Sequence, residues 1–126
     1  CCFHSNARDF SKLGLLMLGR GSVFGKRVVD SKYLDWLTAT GGLKDVDGDE
    51  SVDYYARGWW VAEVLEMPII YARGFNGQYV VVIPELDLVF VRLGLKENEK
   101  SVKNNDFKMS DNLKFFVEQV IKDYSL

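Results

Sequence analysis

Between Ile69 and Leu93 the chain reads as three strands separated by two tight turns, and no other stretch limits its possible folds as sharply. Ile69-Ile70-Tyr71 leads into Ala72-Arg73-Gly74-Phe75-Asn76-Gly77, and Gln78 to Ile83 is a valine-dominated run that stops at Pro84. Pro84-Glu85-Leu86-Asp87 then turns the chain into Leu88 to Leu93. Arg57 to Leu65, with Gly58-Trp59-Trp60-Val61, reads as a strand in front of these, closed by Met67-Pro68. Strands this close in sequence, joined by turns too short for a crossover, pair antiparallel, so a four-strand meander is expected. Two glycines flank Phe75-Asn76. Glycine takes positive φ without steric cost, so this turn either bends sharply or lets something come close to the backbone.

The flanks are helical. Asn6, with Asp9 three residues on, has the form of a capping box, and a helix is expected from Ala7 to near Gly19, with Phe10, Leu13, Gly14 and Met17 at helical spacing. Leu15, Leu16 and Leu18 widen its apolar surface. Ser22 to Val29 reads as a loop. Asp30 caps a short helix from Ser31 to about Thr38, with Tyr33, Leu34 and Leu37 as its buried stripe. Gly41 to Asp53 is a polar, acidic, exposed loop, and Glu97 to Phe107 is another surface loop. Ser110 or Asp111 caps a final helix on which Leu113, Phe116, Val117, Val120, Ile121 and Tyr124 form a stripe that should lie on one face of the sheet. The expected class is α+β in one unit: helical over 1–40, sheet over 54–94, and a terminal helix over 110–124.

Composition excludes several function classes. At 126 residues the chain can bury enough surface to fold without a disulfide or a metal, and its formal charge of -2 gives no electrostatic footprint for nucleic acid or an anionic membrane. No apolar run is long enough to span a bilayer. Cys1 and Cys2 are adjacent and stand alone, so neither a disulfide framework nor a Cys/His metal cluster is expected. His4 is the sole histidine and reads as an ordinary residue. Asp45, Asp47 and Asp49 alternate as calcium ligands do, but Gly48 falls before the third acid instead of after it, so a solvated acidic loop is the reading. No metal or other cofactor is expected. A chain that opens on Cys1-Cys2 and not on methionine is expected to be a piece of a longer polypeptide.

Four segments in order resemble the C-terminal part of the serine β-lactamase, penicillin-binding protein and related esterase superfamily. Ala7-Arg8-Asp9-Phe10-Ser11-Lys12-Leu13-Gly14 is similar to the family's ARD-aromatic helix, and Val28-Val29-Asp30 leads into a short helix with a tryptophan. Tyr55-Ala56-Arg57-Gly58-Trp59-Trp60 is similar to the Y-G-x-G-W-W strand, and Tyr71 to Val91 resembles the strand pair that carries the third motif, usually Lys-Thr-Gly or His-Thr-Gly. That motif falls on Ala72-Arg73-Gly74, where only the glycine agrees. The departure resembles the branch of esterases and aminohexanoate-oligomer hydrolases.

The resemblance implies an acyl-enzyme hydrolase of small ester or amide substrates. The backbone N–H of Phe75 would be one oxyanion donor, Gly74 would give clearance, and Ala72, Arg73 and Asn76 would border the substrate. Ala72 can neither hold a carboxylate nor move a proton as the usual cation does. Trp59, Trp60, Tyr71, Phe75 and Tyr79 are candidates for an apolar cleft, with packing against the terminal helix as the alternative. The family's nucleophile stands in a Ser-x-x-Lys motif, and no serine here has a lysine three residues on: Ser5 is followed by Arg8, Ser22 by Gly25 and Ser101 by Asn104. The expectation is therefore a serine hydrolase whose nucleophile lies upstream in the same polypeptide, with this piece inactive alone. A non-catalytic binding or sensor domain of the same fold is the alternative. By resemblance only, the compartment is periplasmic or exported, with the cytoplasm left open.

Overall fold

The computed structural model describes residues 3–44, 51–95 and 109–125. Helix α1 (Ala7–Leu18) is capped by Asn6, whose side chain accepts from the Asp9 N–H at 3.0 Å. It stops at Gly19, whose N–H bonds the Leu15 carbonyl. The following residues form a hairpin of two short strands, β1 (Ser22–Val23) and β2 (Lys26–Arg27), closed by Phe24 and Gly25 with φ of 49° and 76°. This corrects the expected loop, since two-residue strands are too short to show alternation. Helix α2 (Ser31–Thr38) is capped by Asp30, which accepts from the Lys32 N–H at 2.8 Å.

Four strands follow: β3 (Trp60–Val64), β4 (Met67–Gly74), β5 (Gln78–Ile83) and β6 (Leu88–Arg92), in the antiparallel order β3-β4-β5-β6. The meander is as expected, with two shifts of boundary. Strand β3 begins at Trp60 and not at Arg57, because the Arg57 side chain is turned back onto α2, donating to the Trp36 and Ala39 carbonyls at 2.7 and 3.2 Å. Met67 and Pro68 belong to β4, and the turn is Leu65-Glu66. Pro68 is tolerated there because pairing with β5 starts only at Ile70. A 3-10 turn over Pro84–Leu86 with Asp87 left-handed joins β5 to β6. Helix α3 (Asp111–Tyr124) is capped by Ser110, which accepts from the Leu113 N–H at 3.4 Å.

The sheet is the middle layer of three. On one face Val64, Ile69, Tyr71, Tyr79, Val81 and Ile83 pack against Leu113, Val117 and Ile121 of α3. On the other, Val82, Ile70 and Val89 pack with Met17 of α1 and Leu34 of α2. Strand β5 is covered on both sides, so Tyr79 to Ile83 are all buried, which is why it reads as an unbroken apolar run. Gly14 sets the distance of α1: an added Cβ would strike Val89 Cγ1 and lie 3.2 Å from Val80 Cγ1. Two expected stripes are narrower than their spacing implied. Tyr33, Phe116 and Tyr124 are exposed, because the inward faces are centred on Leu34 and Leu37 of α2 and on the i, i+4 row Leu113, Val117 and Ile121 of α3, beside which Val120 alone of its own row packs on the core. The Gly41 to Asp53 segment is not wholly exposed, since Val52 is buried and its backbone bonds Gly41 and Leu43. The expected loop of 97–107 and the aspartates 45, 47 and 49 lie outside the described residues, apart from the ends of that first segment.

Candidate active-site edge

Strand β4 has two different halves. From Met67 to Tyr71 it pairs with β3, ending at Tyr71↔Trp60, whereas pairing with β5 runs from Ile70 to Gly74. The outer edge of Ala72-Arg73-Gly74 therefore has no strand partner among the described residues. Alternation along an antiparallel ladder decides which groups this exposes. The Val61 N–H bonds Tyr54 outside the β3–β4 pair at 2.9 Å, so Trp60, and hence its partner Tyr71, bonds across the pair. Two residues on, the Arg73 N–H and C=O face the same side, where β3 has ended. An extended chain laid there would find an unsatisfied donor and acceptor.

The five predicted site residues lie together at this end. Ala72 shares the α1 face with Ile70, and Arg73 shares the α3 face with Tyr71, so their side chains leave the strand on opposite sides. Gly74 ends β4, and a Cβ there would come within 3.0 Å of Gln78 Cβ. Phe75 opens the turn with its side chain 89% exposed, and its N–H bonds no described backbone group. Asn76 and Gly77 follow with φ of 58° and 79°, the left-handed region that asparagine and glycine tolerate best.

The aromatic side chains divide the work. Trp60 stacks on Tyr71 at 6.1 Å and on Tyr54 at 6.0 Å, with Tyr55 edge-on at 4.9 Å. The Arg73 guanidinium lies 5.7 Å from the Trp60 ring centroid, without a carboxylate partner among the described residues. Tyr79 is buried and shares a hydrogen bond of 3.1 Å with Ser110 Oγ. Tyr71 is just as buried, yet its hydroxyl has no hydrogen-bond partner among the described residues. Burial pushes its phenol up to about 12, against a smaller opposing pull from Arg73. These tyrosines are core residues, and Trp59 packs on the α1 face. His4 is exposed.

Sequence reasoning missed Gln78, Arg92 and Gly94. The signal was available: Gln78 is the single polar residue that opens the valine run, and it begins the strand immediately after the suspect turn. Among the described residues no group of three His, Cys, Asp or Glu side chains is placed to hold a metal, and no helix is long and apolar enough to cross a membrane. A separate cavity of about 550 Å³ beside β3, bordered by Tyr54, Glu63, Pro68, Asp111 and Lys114, contains none of the predicted site residues. Compared with known proteins, the chain matches no family model and no curated protein.

Proposed function

We propose that this chain is the C-terminal part of a serine hydrolase related to the β-lactamases and esterases, in which the end of β4 forms one wall of the active site. The edge at Ala72-Arg73-Gly74, followed by the Phe75 amide, neither with a backbone partner among the described residues on that side, is the observation that supports the reading. An ester or amide substrate lies along that edge, exchanging hydrogen bonds with the Arg73 backbone. The Phe75 N–H donates to the carbonyl oxygen as it becomes an oxyanion, a service typically worth about 2.7 to 4 kcal/mol of barrier. Arg73 and Asn76 flank the substrate. The serine that attacks, and the lysine that takes its proton, belong to the upstream part of the polypeptide, and the 126-residue chain alone is inactive.

A second reading, a binding or sensor domain that kept the fold without the chemistry, is favoured by Ala72, which leaves the third motif without a cation or a proton carrier. Incubating the longer polypeptide with a fluorophosphonate, generic esters and amides and a cephalosporin, followed by intact-mass analysis, separates the two. Mass added on one upstream serine is the result expected of the hydrolase. No acylation by any of them sinks it.

A further inference from the structure

The turn after β4 is held by side chains where the ladder stops. Pairing between β5 and β6 ends at Tyr79↔Arg92, and beyond it Gln78 and Gly77 have no strand partner on that side among the described residues. There Gln78 Oε1 accepts from the Gly94 N–H at 3.0 Å while its Nε2 donates to the Gly94 carbonyl. A primary amide thus reproduces the two-bond exchange that a backbone residue makes in an antiparallel pair. From the last ladder position, Arg92 Nη1 donates to the Gly77 carbonyl at 2.5 Å.

The glycines around this arrangement leave no room for anything else. A Cβ on Gly74 would crowd Gln78, one on Gly77 would fall on Arg92 Nη1, and one on Gly94 would lie 2.6 Å from that nitrogen and 2.7 Å from the Asn76 carbonyl. The space is thus taken by the two side chains that grip the turn. Their bonds go to the backbone of Gly77 and Gly94, and a charged donor on a carbonyl is among the stronger hydrogen bonds available.

We propose that Gln78 and Arg92 are positioning residues that fix the Phe75-Asn76-Gly77 turn and, through it, the aim of the Phe75 amide. The proposal rests on the reading of that amide as an oxyanion donor, because a donor is effective in proportion to how firmly it is aimed before the charge appears. Neither side chain touches the reacting atoms.

The test has two arms. In the 126-residue chain, Gln78→Met and Arg92→Met are compared by amide hydrogen exchange and by the three-bond coupling that reports φ at Asn76. Gly94 should exchange about tenfold faster in Gln78→Met, as for a lost hydrogen bond. In both variants the Asn76 coupling should drift toward its free-chain value while Val81 and Val82 keep their protection. Gln78→Glu, which retains the acceptor and loses the donor, should fall between. An unchanged Asn76 coupling overturns the proposal, and so does loss of Val81 and Val82 protection along with the turn, which would mean that the pair holds the sheet. In the longer polypeptide, Gln78→Met should lower the acylation rate constant about tenfold or more at nearly constant KM. An unaffected rate constant refutes positioning, whereas no acylation of the unsubstituted protein refutes the hydrolase reading and leaves the exchange data to decide the turn.

Discussion

The two turns at the ends of β4 solve the same problem by opposite means. Leu65-Glu66 closes the β3–β4 hairpin with both residues left-handed, at φ of 50° and 64°, although neither is glycine or asparagine. No side-chain hydrogen bond supports it among the described residues, so the ladder on either side imposes the geometry and the strain is simply tolerated. Phe75-Asn76-Gly77 uses residues that accept left-handed φ, and yet it also recruits Gln78 and Arg92. A turn made of suitable residues and still gripped from two sides is being held for more than chain reversal. The strand changes partner between the two turns: it pairs with β3 alone near the first, with β5 alone near the second, and with both only at Ile70 and Tyr71.

The largest effect that would sharpen this contrast is expected from Gly77→Val. A β-branched side chain at a φ of 79°, with Arg92 Nη1 in its path, should lower the unfolding free energy by about 3 kcal/mol, measured by urea titration. At the other turn the sign reverses. Replacing Leu65-Glu66 with Asn-Gly should raise stability by about 1 to 2 kcal/mol, and a loss there would show that the first turn is held by contacts of its own.

The tyrosines near the boundary of the two halves give a smaller pair of effects. Tyr71→Phe removes a buried hydroxyl without a partner among the described residues and should stabilise by about 1 kcal/mol, whereas Tyr79→Phe breaks the bond with Ser110 and should destabilise by a similar amount. Alkali provides an independent check. With the Tyr71 phenol held near 12 in the fold, against an ordinary value of 10.0, the unfolded chain releases its proton first as pH rises. The contribution is thus intact below pH 10 and is lost between 10 and 12, a decline that Tyr71→Phe should reduce in denaturant titrations across that interval. The smallest perturbation needs no substitution: the Arg73 amide, on the open edge, should exchange faster than that of Ala72, which faces β5. Equal protection of the two would mean that the edge is covered.

The elements were legible where a local rule acted alone. Asn6, Asp30 and Ser110 announced their helices, and the apolar run of β5 announced a strand covered on both faces. Other features depend on partners that spacing does not identify. Tyr33, Phe116 and Tyr124 fit a helical stripe but stand outside the area that the sheet covers, and β1–β2 is too short to carry a pattern. At the candidate site the turn could be placed from its glycines, and Ala72 to Asn76 are singled out by resemblance, but the open edge could not be read, because it depends on where β3 stops, and Arg57 decides that by folding back onto α2. The clamp by Gln78 depends on Gly94, sixteen positions away, and only the β5–β6 register brings them together.

The strict sequence order of the meander has a kinetic consequence. Each strand meets its neighbour through a connection of two to four residues, so the sheet can zip from hairpin to hairpin with little loop-closure entropy at any step. Helix α3 is different. It is separated from β6 by a longer stretch of chain and packs on β3, β4 and β5, so its docking closes a loop far larger than any of the hairpins. Disturbing Leu113, Val117 or Ile121 should therefore speed unfolding more than it slows the assembly of the strands.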